Sequence, residues 1–292
     1  MMQGILIVDK PTDWTSFDVI AKLRGILGTR KLGHSGTLDP MATGVLPVFC
    51  GGASKAVDLQ LDHTKAYRAV LRLGQRTDTG DVTGTVLENA PVTAGEQELL
   101  AVLPQFLGPR MQTPPMYSAV KINGQPLYKL AREGKTVERK ARPIEILDIR
   151  YEGSPAENEY ALTVKCSKGT YIRTLCQDIA RACGSCGCMS ALRRTAAGAF
   201  TLDACLSVEA LRESADPYAL LLPMSEALTL PQLAITSAAQ RDDLMNGRRV
   251  RVAPDASCNA AEGWVQAVQD GELLAIGHIE AGAFIPKKVF HG

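Results

Sequence analysis

No stretch of this 292-residue chain stays uncharged for long. The longest such run, Pro40 to Ser54, has 15 residues and is broken by glycine and proline, so it cannot form the helix of about 20 apolar residues that spans a bilayer. The opening MMQGILIVDKP carries no basic stretch ahead of its apolar run, and that run is too short for a secretory leader. These two absences set the expectation of a soluble protein of the cytoplasm that does not engage membranes. Internal repeats and low-complexity tracts are also missing. A net charge is nearly missing as well: 32 Lys and Arg stand against 31 Asp and Glu.

What is present is enough apolar material, 46% of residues, for one large domain and a small one. The eight cysteines, without an export signal, are expected to be reduced thiols. Cys183, Cys186 and Cys188 include one C-x-x-C step, which raises a zinc-supported structural protein as an alternative. Cys176 and Cys205 do not supply the second paired knuckle such sites use, so small buried helix or turn residues are the expectation.

The balanced charge hides a pattern. Residues 165–194 hold six Lys and Arg against Asp178, and residues 121–150 hold eight against Glu133, Glu138, Glu145 and Asp148. Two basic segments on a neutral chain suit a polyanion, although a charge run is also simply a solvated face.

Periodicity places the elements. GILIVDKP reads as a buried strand stopped by proline. TSFDVIAKLRGILG reads as a helix capped by Thr15 or Ser16 and ended by Gly28, with Phe17, Ile20, Leu23 and Leu27 on its packed face. KAYRAVLRLG alternates as a strand, TDTGDVTG is a polar turn segment, and TAGEQELLAVLPQFLG is a second amphipathic helix. The stretch from Thr113 mixes Pro, Gly, aromatic and basic residues as an exposed excursion with a short helix. YALTVKCSKGTYIRTLCQDIARACG reads as a strand entering a helix, with Gly169 at the turn and Arg173 near the helix start. From about residue 231 the texture becomes short alternating segments, a small β domain.

One loop stands apart. GHSGTLDPMATGVLP surrounds the single carboxylate of Asp39 with Gly33, Gly36, Gly44 and Pro40, a geometry suited to an acid held at a defined place. An Asx-turn, in which Asp39 bonds only its own backbone, is the plainer alternative.

This loop resembles the catalytic loop of the TruB family, the bacterial tRNA pseudouridine-55 synthases. DKPTDWTS resembles the family's N-terminal motif, and KAYRAVLRLGQRTDTGDVTG its tyrosine strand and the turn after it. PPMYSAVKINGQPLYKLAREG resembles its RNA-gripping insertion, and GTYIRTLCQDIA with LRRTAAGAF its arginine segment. The likeness runs in order over nearly all of residues 4–202. Asp13 stands where the N-terminal motif usually has glycine, which bears on the shape of that turn.

The resemblance implies an α/β (α+β) catalytic domain on a mixed, largely antiparallel sheet over residues 1–230, with a thumb-like RNA-binding insertion at about 113–146. A PUA-like β domain follows over 231–292. It implies isomerisation of a T-loop uridine of tRNA: the base is flipped out, its N1–C1′ bond is cut, and C5 joins C1′. No atoms are gained or lost, so no cofactor and no metal are expected. Asp39 matches the essential aspartate, acting either at C1′ as nucleophile or at C2′ as base. Arg173 matches its cationic partner, Tyr67 the tyrosine that stacks on uracil, and His34 the histidine that helps flip the nucleotide. Lys10, Tyr171 and Leu192 match residues that line or brace the pocket. The expected partner is the T-stem loop of tRNA, with no protein partner required and a monomeric chain. An RNA-binding or tRNA-folding module without catalysis and a guide-RNA-dependent pseudouridine synthase are the rival functions; the retained Asp39, Tyr67 and Arg173 argue against the first, the insertion and the short C-terminal domain against the second.

Overall fold

The computed structural model describes residues 3–59, 62–252 and 263–290. The chain divides into two compact units: one takes the residues up to Pro40, Gly44–Asp62 and everything from Gly198, the other Met41–Thr43 and His63–Ala197.

The first unit opens with strand β1 (Gly4–Lys10), helix α1 (Ser16–Ile26), and strands β2 (Leu32–His34) and β3 (Thr43–Cys50). β3 pairs antiparallel with both β1 and β2. The Thr15 side chain accepts the Asp18 N–H while the Asp18 carboxylate accepts the Thr15 N–H, a reciprocal cap that settles the choice between Thr15 and Ser16. α1 buries Val19, Ile20, Leu23 and the adjoining Leu27 against Leu6, Val8, Leu46 and Val48. Phe17, expected on that face, is instead 63% exposed, with the Arg24 guanidinium over its ring. At 100° per residue Phe17 stands about 100° from the centre of the buried stripe, beyond its edge. Asp13 adopts φ +63°, the left-handed conformation that glycine takes freely and Asp tolerates better than most residues.

The second unit is an antiparallel sheet. Its strands are β4 (Lys65–Leu73), β7 (Gly108–Gln112), β10 (Arg142–Ala156), β11 (Glu159–Cys166) and β12 (Gly187–Ala197), with a hairpin of β5 (Gln75–Thr77) and β6 (Val86–Asn89) after β4. Spatially they run β12, β4, β11, β10, β7. Helix α2 (Glu96–Val102) is shorter than expected and passes into a 3-10 turn at Leu103–Phe106, because Pro104 supplies no N–H for the α ladder. The excursion carries a small hairpin of β8 (Lys121–Ile122) and β9 (Gln125–Pro126), then helix α3 (Leu127–Arg132). From Arg142 the chain is in β10, whose first residue pairs with Gln112 at the end of β7. Helix α4 (Ile172–Ala182) returns through Gly169, at φ +83°, and packs its apolar stripe inward. It approaches β12 so closely that a Cβ on Gly187 would lie 2.5 Å from the Ala180 Cβ.

The chain then re-enters the first unit through β13 (Phe200–Thr201) and two helices, α5 (Val208–Glu213) and α6 (Met224–Ala227). A mixed five-stranded sheet follows, of β14 (Gln232–Ala234), β15 (Val250–Arg251), β16 (Val265–Gln269), β17 (Glu272–Glu280) and β18 (Ala283–Val289). β14 pairs parallel with β16, and the other ladders are antiparallel. Helix α7 (Ala238–Met245), which the sequence pattern does not announce, adds Leu244 to a core with Leu233, Val250, Leu274 and Phe284. Within the expected 231–292 domain, residues 253–262 and 291–292 lie outside those described.

Candidate active site

The sequence-predicted residues fall into two sets, Lys10, His34 and Asp39 in the first unit and Tyr67, Tyr171, Arg173 and Leu192 in the second.

Asp39 is half-buried in the loop from β2 to β3. The loop leaves β2 after His34, whose Cα partner is Val48, and Ser35 N–H donates to Pro47 O at 3.1 Å. Gly36, at φ +78°, and Gly44, at φ +101°, take conformations that a side chain resists. Gly33 does not: its φ is ordinary and an added Cβ would only meet Ser54 at 3.8 Å.

The residues on either side of Asp39 are held from the N-terminal motif. Leu38 N–H donates to Ser16 Oγ at 2.9 Å, and Ser16 Oγ donates to Leu38 O at 3.3 Å. Lys10 Nζ donates to Pro40 O at 3.0 Å, and also to Pro11 O at 2.7 Å and Trp14 O at 2.5 Å. Lys10 is fully buried, and three carbonyl dipoles replace the water its ammonium gives up. The K-P-x-x-x-T-S spacing thus ties the end of β1, the turn and the start of α1 to the carboxylate loop.

In the second unit Tyr67 and Leu192 are buried on neighbouring strands. Tyr67 in β4 faces Arg194 in β12, and Leu192 faces Ala69. Cross-strand partners and residues two apart share a face, so Tyr67, Leu192 and Arg194 stand together on one side of the sheet.

Arg173, in the first turn of α4, is 4% exposed. Its Nη1 donates to Thr79 O at 2.6 Å and its Nη2 to Tyr117 O at 2.8 Å, while Nε lies 3.8 Å from the Asp81 carboxylate. Asp81 is itself buried and accepts from the Thr79 and Thr83 hydroxyls and the Thr83 N–H. The turn TDTGDVTG is therefore a scaffold that orients a buried guanidinium, with a carboxylate to balance its charge. Tyr171 precedes α4, and Gln112 brackets it, accepting from Tyr171 N–H at 2.8 Å and donating to Tyr171 O at 3.1 Å.

Sequence reading missed Ser16, Asp81 and Gln112. Ser16 and Asp81 lay inside quoted motifs, Ser16 read only as a possible cap; nothing local marked Gln112.

The insertion, the turn and α4 also enclose a cleft of about 740 Å³ within the second unit, with Arg76, Lys135, Arg139 and Arg181 on its walls. Cations from both basic segments of the sequence meet there, accompanied by Asp78 and Asp178. Among the described residues no cluster of three His, Cys, Asp or Glu forms a metal-binding group, and the seven described cysteines are free thiols. Burial pushes Cys50 and Cys176 up to about 12.

The chain is 42% identical to tRNA pseudouridine synthase B of Chromohalobacter salexigens over 99% of this chain and 95% of the relative. It is 40% identical to the protein of the same name from Ralstonia pickettii, with the same coverage. Among solved structures it is similar to a chain of a Cbf5-Nop10-Gar1 complex, with a TM-score of 0.71 and 26% identity over 99% of this chain and 84% of that one. The model of the TruB family pseudouridylate synthase N-terminal domain matches residues 24–172, and that of the tRNA pseudouridylate synthase B C-terminal domain residues 173–229. With family models matching residues 24–229 and relatives about 40% identical over nearly the whole chain, the chain belongs to the TruB family of pseudouridylate synthases.

Proposed function

We propose that the chain is a tRNA pseudouridine synthase that isomerises the T-loop uridine at position 55, with Asp39 as its catalytic carboxylate. The observation that carries this reading is the clamping of both neighbours of Asp39: buried Ser16 and Lys10 fix Leu38 and Pro40, an arrangement a mere surface turn does not need. The identity of about 40% to enzymes of that name, over nearly the full chain, supports the substrate class.

The chemistry assigns the remaining roles. The uridine leaves its stack for a pocket, and Tyr67 offers a ring for the uracil face. His34 assists the flip, and Leu192 and Tyr171 wall the pocket. Asp39 acts ionised, either attacking C1′ or taking the proton at C2′; in both routes the N1–C1′ bond breaks, the uracil turns while bound, and C5 closes on C1′. Arg173 supplies the cation that keeps the carboxylate ionised against desolvation. Lys10 braces the loop. The balance of atoms needs no cofactor.

The insertion between β7 and β10 grips the T-stem loop through phosphates, a role supported by the cations around its cleft. The β domain at 231–292 is a PUA-like RNA-binding module. The enzyme works on free tRNA, as a monomer in the cytoplasm. A guide-dependent reading is less well supported: the relative at 42% identity is named tRNA pseudouridine synthase B, whereas identity to the chain of the Cbf5-Nop10-Gar1 complex is 26%.

The test separates binding from turnover. Asp39→Asn keeps the size of the side chain and removes its charge, so tRNA affinity stays within about twofold while pseudouridine formation falls at least about a thousandfold. An Asn variant that binds tRNA and turns over at the wild-type rate returns Asp39 to the status of a turn residue.

A further inference from the structure

We propose that Ser16 is a positioning residue for Asp39, a role that rests on the catalytic reading of that carboxylate. Helix α1 does not need the Ser16 hydroxyl, because Thr15 and Asp18 complete its N-terminal cap between them. The hydroxyl is spent 22 positions away instead. It accepts from Leu38 N–H and donates to Leu38 O, so one oxygen addresses both ends of the residue that immediately precedes Asp39. Ser16 is 1% exposed and Leu38 3%, so both bonds are shielded from bulk solvent. Two further bonds add to the frame: Lys10 Nζ holds Pro40 O on the far side of Asp39, and Ser35 N–H fixes the loop's entry on Pro47 O.

A carboxylate on a loop serves C1′ or C2′ chemistry only if its backbone is fixed, since a reacting group displaced by about 1 Å loses about a hundredfold in rate. The Lys10 ammonium holds Pro40, after Asp39, and makes no bond to Leu38 before it among those described. Without Ser16, the Leu38 peptide has a buried N–H to satisfy and turns to find a partner. That rotation moves the Asp39 Cα and leaves distant RNA contacts untouched. Ser16 thereby differs from Thr15 beside it, whose hydroxyl serves the helix alone.

The test compares Ser16→Ala with Thr15→Ala and Asp39→Asn in the full chain, using an unmodified tRNA transcript. Single-turnover rates are normalised to the fraction of protein that binds tRNA, so partial misfolding does not count as lost catalysis. The expected result for Ser16→Ala is a rate lowered about 10- to 100-fold with tRNA Kd within about twofold. Thr15→Ala loses its helix cap and melts at a lower temperature, yet keeps its rate within about twofold. A Ser16→Ala rate within twofold of wild type overturns the proposal, as does an equal rate loss in Thr15→Ala. If Asp39→Asn stays active, the catalytic reading itself fails; if it is inactive while Ser16→Ala runs at full speed, only the role of Ser16 fails.

Discussion

At the scale of single residues, two charged groups in this chain do different work through the same physics. Arg173 is a buried guanidinium whose fork is spread over two carbonyls and faces Asp81. Lysine keeps the charge and loses the fork. Arg173→Lys is therefore expected to lower turnover by about 10- to 100-fold while tRNA affinity stays within about twofold, a milder loss than in Asp39→Asn. Rapid-quench kinetics beside a filter-binding titration distinguishes the two. Asp18 is an exposed acid whose pKa is held below its ordinary 3.8 by the Thr15 hydroxyl and then the Thr15 N–H. Because the folded value is the lower one, the stability Asp18 contributes is complete above the unfolded value and lost as pH falls through the folded value. Asp18→Asn should therefore lose less stability than wild type between pH 5 and pH 2, with little difference in slope above pH 5. Urea unfolding across that range is the measurement.

At the scale of elements, much of the fold was legible, and the failures have physical causes. α1 and α4 keep clean helical periods, β1 is a continuous buried apolar run, and each stops at or just before proline or glycine, so their boundaries are legible within a few residues. β12 does not read as a strand from its sequence, because two register shifts break its alternation against β4 and its burial follows no period of two. β3 was hidden by Pro47, which strand signals disfavour; it sits opposite Ile7 all the same. The candidate site divides in the same way. The loop around Asp39 announced itself through glycine and proline, whereas Tyr67 looks like any buried strand residue and owed its assignment to the resemblance. The insertion also makes an element-scale prediction. Gln112 and Arg142 are paired directly, so the sheet can close across a short linker once the excursion is removed. Replacing residues 120–140 with such a linker removes six Lys and Arg. The variant should bind tRNA more weakly and with a shallower dependence on salt, by up to about 0.7–0.9 in log–log slope for each phosphate left without its cation. Binding isotherms at four salt concentrations measure this, and an unchanged slope would remove the insertion from the RNA interface.

At the scale of the whole molecule, a chain of almost no net charge acts on a polyanion. The reconciliation lies in distribution: Arg76, Lys135, Arg139 and Arg181 gather at one cleft, while acids elsewhere cancel them in the sum. Membership of the TruB family, the clamped carboxylate and the buried arginine all converge on one reaction, and that reaction leaves a product no binding protein makes. The most direct measurement is incubation of the purified chain, without added cofactor, guide RNA or protein, with an unmodified tRNA transcript, followed by base-resolution mapping of pseudouridine. The account predicts a single new pseudouridine at the T-loop uridine, formed in multiple turnovers. Full-affinity binding of the transcript with no pseudouridine at that position would contradict it.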